Sequence, residues 1–258
     1  MQIEIDGQTI HYIEAGEGEP LLLLHGWGAE IASFQPVIQA LAPYRRVIAL
    51  DFPGFGKSPE PSEPWAVADY ARLTAGFMEA LKIQGTDIIC HSFGGRVTII
   101  LAATRPELVG KLVFVDAAGL KKRRSLGYYV KVYSYKFMKK AAKTAWLKKC
   151  LGWLGIRPEE RIKNAGSEDY QKTSGVMRGT FVKTVNQDLK EYLPRIQASS
   201  LMIYGREDTA TPVYFGEKMA KLIPDGGLVV LENAGHFSYL DQFPQFIAIV
   251  KVFLGVKG

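Results

Sequence analysis

Asp87-Ile88-Ile89-Cys90-His91-Ser92-Phe93-Gly94-Gly95 joins a predicted strand to a predicted helix without a loop between them. The apolar, β-branched residues before the serine are typical of a buried strand, and residues 96–103 are typical of a helix. Ser92 therefore occupies the turn itself. A turn this abrupt brings the positions two before and two after the serine, Cys90 and Gly94, close together, so both must be small. The strained backbone lifts the hydroxyl clear of the sheet and directs the first N–H groups of the helix towards the atom that the hydroxyl attacks.

An acid and a base follow this serine at the ends of later predicted strands. Glu207 and Asp208 both come after the apolar run 200–204, Asp116 ends the run 111–116, and His236 comes after the last strand, 227–231, just before the final helix. A histidine with a near-neutral pKa can take a proton from a serine and return it to a leaving group, while a carboxylate orients its ring. Alternatives remain open for each role. Glu207 and Asp116 are alternative acids, and His91 is an alternative base, although a side chain adjacent to Ser92 in a turn is expected to point away from it.

Several of these segments resemble motifs of the α/β-hydrolase family. Residues 87–95 resemble its nucleophile elbow, 51–58 its D-x-P-G-x-G-x-S loop, and 205–212 its G-x-x-D-x-x-x-P segment. One departure is Cys90, where the family usually has glycine, and we expect Cys90→Gly to be tolerated. The resemblance implies a catalytic triad of Ser92, Asp208 and His236.

His25-Gly26-Trp27-Gly28 resembles the oxyanion loop of the same family. The resemblance implies that the backbone N–H groups of Trp27 and Phe93 bind the developing oxyanion, an interaction worth roughly 3–4 kcal/mol for one donor. His25 is expected to hold this loop rather than to take part in catalysis. Asp51 opens a Pro-Gly turn and is expected to bond to backbone groups nearby.

The resemblance also implies the architecture: an α/β fold with a mostly parallel sheet of about eight strands, helices on both faces and an inserted helical cap. We assign residues 1–119 and 196–258 to the core and 120–195 to the cap. Between 119 and 195 there are 19 Lys and Arg against 6 Asp and Glu, although the whole chain carries only +6. This basic region is interpreted either as a solvated outer surface or as a surface that attracts anionic substrates or an anionic membrane.

Composition excludes several other classes of protein. No apolar run approaches the ~20 residues that span a bilayer, and the N-terminus lacks the pattern of a signal peptide, so we predict a cytoplasmic protein. Cys90 and Cys150 make no disulfide framework, and the four histidines have no metal-ligand spacing. We expect no metal, no cofactor and no nucleic-acid partner, because the basic residues form no recognisable reading element. The oligomeric state is left open.

The function predicted from the sequence is cleavage of a small carboxylic ester through an acyl-enzyme intermediate. A serine at the elbow argues against the aspartate-dependent haloalkane dehalogenases and most epoxide hydrolases. Two other reactions fit the same triad: cleavage of a carbon–carbon bond in a ring-fission product, and cleavage of an amide or N-terminal peptide bond. A third hypothesis is a ligand-binding or sensing protein with vestigial turnover.

Overall fold

The computed structural model describes residues 1–122 and 173–256, together with isolated positions between 127 and 140. The chain divides into two compact units, one of residues 1–120 with 175–258 and the other of residues 121–174. Most of the predicted cap, 120–195, lies outside the described residues, so the cap and its basic surface stay predictions. Residues 175–195, at the end of that assignment, belong to the first unit.

The described residues of the first unit form an eight-stranded sheet with the strand order β1-β2-β4-β3-β5-β6-β7-β8. β1 pairs with β2, and β2 with β4, in antiparallel fashion, and every other pairing is parallel. This agrees with the predicted fold class. The strands are β1 (Gln2–Ile5), β2 (Gln8–Ala15), β3 (Pro20–Leu24), β4 (Arg46–Leu50), β5 (Thr86–His91), β6 (Val109–Val115), β7 (Ser200–Gly205) and β8 (Gly226–Leu231).

Helices cover both faces of this sheet. The α-helices of the described residues are α1 (Gln35–Leu41), α2 (Val67–Ala80), α3 (Phe93–Thr104), α4 (Gly175–Val185), α5 (Tyr214–Leu222), α6 (Ser238–Asp241) and α7 (Phe243–Leu254). Short 3-10 turns occupy Ile31–Phe34, Pro106–Leu108 and Lys190–Arg195.

Alternation along each strand sends successive side chains into two separate cores. Leu22 and Leu24 of β3 pack on the side of α2, α3 and α5, whereas Leu21 and Leu23 pack on the side of α1 and α7. All four are fully buried. The uninterrupted leucine run is thus explained by the central position of β3, where helices cover both faces of the strand.

The turn between β5 and α3 places Ser92 in a left-handed conformation, with φ 47° and ψ −106°. The close approach that makes a small residue necessary differs from the predicted one. A Cβ added at Gly94 would lie 2.2 Å from the carbonyl oxygen of Leu24, and its three nearest neighbours all belong to Leu24 and His25. Gly94 therefore allows α3 to approach the end of β3. Cys90 instead is fully buried in the core, with its thiol 3.5 Å from the carbonyl oxygen of Val113.

Within the described residues, no helix combines the length and the apolar character that crossing a membrane requires.

Gly94→Ala should lower the free energy of unfolding by about 2–3 kcal/mol, because the new methyl group meets rigid backbone and forces α3 away from β3. The matched control is Gly227→Ala, whose added Cβ meets only the Leu201 side chain, at 3.6 Å. Urea denaturation of both variants measures the difference. Equal midpoints for Gly94→Ala and the wild type would contradict the assigned contact.

Candidate active site

Four polar side chains follow the ends of four neighbouring parallel strands. Ser92 follows β5, Asp116 follows β6, Asp208 lies three residues after β7, and His236 lies in the loop between β8 and α6. Because parallel strands place their carboxyl ends at one edge of a sheet, residues far apart in sequence meet there.

Asp208, His236 and Ser92 form a continuous hydrogen-bonded row at this edge. His236 Nδ1 lies 2.8 Å from Asp208 Oδ2, and His236 Nε2 lies 3.0 Å from Ser92 Oγ. An ionised carboxylate only accepts, so Nδ1 carries the hydrogen and Nε2 offers a lone pair to the serine hydroxyl. The Asp208 side chain is fully buried, and the imidazole is 24% exposed. The structure thus brings together the three residues predicted to form the triad.

The surroundings of Asp208 favour its ionised form. Burial alone would raise the pKa of this carboxyl, but hydrogen bonds from His236 and Thr211 outweigh burial, and the net pKa is lowered. The backbone N–H groups of Ala210 and Thr211 donate to Oδ1 at 2.7 and 2.9 Å. Asp208 therefore keeps a negative charge beside the imidazole over the working pH range.

The two alternative acids lie elsewhere. Glu207 is exposed, although its backbone N–H bonds to the carbonyl oxygen of Ala234. Asp116 is fully buried, and its carboxylate accepts the N–H groups of Gly205, at 2.8 Å, and Ser238, at 3.0 Å. Burial raises the pKa of Asp116 to about 7. This carboxyl therefore ties β7 to the start of α6 instead of contacting the imidazole.

Thr211 is a site residue that the sequence interpretation missed. Its hydroxyl oxygen lies 2.6 Å from Asp208 Oδ2, 2.8 Å from the carbonyl oxygen of Asp116 and 3.2 Å from His236 Nδ1. The signal available in the sequence is a threonine three residues after the predicted acid, a spacing at which a turn folds the hydroxyl back onto the carboxylate.

His25 supports the loop that resembles an oxyanion loop. Its Nε2 accepts the N–H of Phe52 at 3.0 Å, so its Nδ1 carries the hydrogen and donates to the carbonyl oxygen of Gly26 at 2.7 Å. Burial lowers the pKa of His25 to about 4, so the ring is neutral. Asp51 holds the neighbouring loops by accepting the N–H groups of Ile31 and Lys57.

The two N–H groups predicted to bind the oxyanion belong to Trp27, in the loop after β3, and to Phe93, the residue after Ser92. Within the described ranges, neither group donates to another part of the protein. The rings of these two residues contact each other and further aromatic rings. Trp27 contacts Phe55, Phe93 and Phe181 at centroid distances of 4.9, 5.4 and 5.1 Å.

His91 points away from the serine hydroxyl, as its position in the turn predicts. Its ring Nε2 lies 2.7 Å from the carbonyl oxygen of His236. Among the described residues, no group of three or more His, Cys, Asp or Glu side chains is arranged to hold a metal ion.

Asp208→Asn tests the orientation of the imidazole. An amide nitrogen facing His236 Nδ1 would force the ring hydrogen onto Nε2, and the ring could then no longer accept the serine proton. We expect kcat to fall by about 10⁴-fold while the fold is retained. Steady-state kinetics with a chromogenic ester measures the loss, with Asp225→Asn on the exposed surface as the control. Activity within tenfold of wild type would contradict this role.

Comparison with known proteins gives the same family. A family model for the α/β-hydrolase fold matches residues 19–243. The 2-hydroxy-6-oxo-6-(2'-aminophenyl)hexa-2,4-dienoic acid hydrolase of Metapseudomonas resinovorans is 26% identical, over 99% of this chain and 91% of that protein. A bacterial membrane phospholipase A shows 25% identity and a TM-score of 0.76, covering 99% of this chain and 85% of its own. The meta-cleavage product hydrolase of Pseudomonas fluorescens IP01 is 25% identical, with a TM-score of 0.73. The match covers 99% of this chain and 97% of that protein. The chain therefore belongs to the α/β-hydrolase family and is a hydrolase.

Proposed function

We propose that this hydrolase cleaves carboxylic esters through an acyl-enzyme intermediate formed on Ser92. The observation that carries the proposal is the hydrogen-bonded row from Asp208 through His236 to Ser92, with contacts of 2.8 and 3.0 Å. In this arrangement the lone pair of His236 Nε2 faces the hydroxyl proton of Ser92, and the ionised Asp208 holds the other nitrogen of the ring.

In the first half of the reaction Ser92 Oγ attacks the ester carbonyl carbon while its proton passes to His236 Nε2. The carbonyl oxygen becomes an oxyanion, which the N–H groups of Trp27 and Phe93 are proposed to bind. Collapse of this intermediate breaks the carbon–oxygen bond of the ester, and His236 returns the proton to the departing alcohol. Water then gives its proton to His236 and attacks the acyl-enzyme. When this second intermediate collapses, the acid leaves and the proton returns to Ser92.

The residues next to the proposed oxyanion donors favour an acyl group without charge. The Trp27 ring meets the Phe93 and Phe181 rings edge to face, and Met177 packs on Gly54, where an added Cβ would lie 2.3 Å from the Met177 sulfur. Phe181 and Met177 are buried. Side chains of this kind bind apolar surface by removing it from water and give no partner to a carboxylate.

Cleavage of a carbon–carbon bond is the second candidate, because relatives across the whole chain are meta-cleavage product hydrolases. The same triad can attack a ketone carbonyl when the departing carbon is stabilised as a conjugated enolate. A 2-hydroxy-6-oxohexa-2,4-dienoate carries a carboxylate, so this reaction also requires a cationic or hydrogen-bonding group on the leaving-group side.

A substrate panel separates these functions. Purified wild type is assayed with p-nitrophenyl acetate, butyrate and octanoate, and with a 2-hydroxy-6-oxo-6-phenylhexa-2,4-dienoate. We expect kcat/KM for the best ester to exceed that for the dienoate by about tenfold or more, because the dienoate also needs a partner for its carboxylate on the leaving-group side, whereas an uncharged ester does not. A preference for the dienoate would replace ester cleavage with the second candidate.

The triad itself is tested by Ser92→Ala and His236→Ala, each of which should lower kcat by about 10⁴-fold or more. Labelling with a fluorophosphonate should be lost in Ser92→Ala and kept in Ser62→Ala, which changes an exposed serine. A wild-type protein that is neither labelled nor active on any of these substrates would instead support a binding or sensing role.

A further inference from the structure

His91 is the residue directly before the proposed nucleophile, and its side chain is built into the loop that carries the proposed base. The residue is only 2% exposed. Its ring lies 4.9 Å from that of His236, 5.0 Å from Phe237 and 5.2 Å from Tyr239, measured between centroids. This imidazole therefore packs the end of the nucleophile's strand against the loop of the proposed base.

The hydrogen bond at the end of this ring fixes its protonation. Nε2 lies 2.7 Å from the backbone carbonyl oxygen of His236, and a carbonyl oxygen only accepts, so Nε2 carries the hydrogen. Nδ1 is buried and has no partner among the described residues. It faces Gly26, where an added Cβ would lie 2.7 Å from it. The ring is thus a neutral donor whose Nε2 is engaged by the loop of His236.

We propose that His91 is a positioning residue for His236. The proposal rests on the proposed function, because it assigns His91 a task in the triad's geometry. Two other bonds hold the same loop: Gly235 N–H donates to Asp241 at 2.8 Å, and Ser238 N–H donates to Asp116 at 3.0 Å. Those bonds fix the residues before and after the base. Among the described contacts, only the hydrogen bond from His91 reaches a backbone atom of His236 itself.

The hydrogen bond from His91 matters because the reaction needs His236 in a precise position. His236 must keep Nδ1 at Asp208 and Nε2 at Ser92 simultaneously, and a displacement of about 1 Å costs roughly 10²-fold in rate. Because His91 is the residue before Ser92, its hydrogen bond fixes the position of His236 relative to the nucleophile. Burial, and then the neighbouring His236, lower the pKa of His91 to about 3. The ring therefore adds no positive charge to oppose the imidazolium that forms on His236.

A purely space-filling role is the competing explanation, and two substitutions separate it from positioning. His91→Gln keeps an N–H donor at about the reach of Nε2, whereas His91→Leu keeps apolar bulk and removes the donor. Both are measured for kcat and KM with the best ester, for the rate of fluorophosphonate labelling, and for thermal unfolding.

We expect His91→Leu to lower kcat and the labelling rate by about 10- to 100-fold with KM within about twofold, and His91→Gln to stay within about fivefold of wild type. Similar melting temperatures for the two variants would place the difference in geometry and not in folding. If the wild type is active and His91→Gln and His91→Leu have equal kcat, the positioning role is overturned and the proposed function is not. A wild type without labelling or turnover would overturn the proposed function, and the positioning role with it.

A measurement on the wild-type protein keeps the proposal testable if His91→Leu does not fold. Nitrogen-15 NMR of histidine-labelled protein distinguishes the two neutral tautomers. We expect His91 to be neutral with its hydrogen on Nε2 at pH 7. A hydrogen on Nδ1, or a ring that titrates between pH 5 and 8, would overturn the assignment.

Discussion

The structure depends on a strained backbone at one residue. Ser92 has φ 47° and ψ −106°, outside the regions that non-glycine residues prefer, which costs on the order of 1–3 kcal/mol. Bonds on both sides prevent relaxation. Ser92 N–H donates to the carbonyl oxygen of Val115 at 3.1 Å, and Ala118 N–H donates to the carbonyl oxygen of Ser92 at 2.9 Å. Gly94 then lets α3 lie against the end of β3. The hydroxyl is held off the sheet edge because the core around it, and not the serine, sets the conformation.

The sequence was sufficient for the fold because each strand of the parallel sheet has its own apolar run and its own turn. It also predicted which serine, acid and histidine lie at one sheet edge, since their order follows the strand order. It was not sufficient for contacts between distant segments. His91 and His236 are 145 residues apart, and no local sequence pattern predicts that the His91 ring bonds to the backbone of His236. Gly94 shows the same limit. Its small size was predicted, but the partner that requires it, the backbone at Leu24, lies on another strand.

Arg96 shows how the segment that follows α4 is held within the first unit. This arginine is in the first turn of α3, and its guanidinium is buried, where it donates to the carbonyl oxygen of Gln187 at 2.8 Å. Burial lowers its pKa to about 10, so it stays protonated at neutral pH. A cation from the core thus holds the chain that leaves α4. Residues 175–195 belong to the first unit, and Met177, Phe181 and Leu193 of this segment are buried.

Two carboxyl groups at neighbouring strand ends are given opposite electrostatic environments, and this difference separates their roles. Asp208 keeps its charge because three donors and the imidazole surround it, whereas burial raises the pKa of Asp116 to about 7. Of these two carboxyl groups, only Asp208 contacts His236 Nδ1, whereas Asp116 accepts the N–H groups of Gly205 and Ser238. The proposed choice of Asp208 as the acid therefore rests on the hydrogen bonding at each strand end.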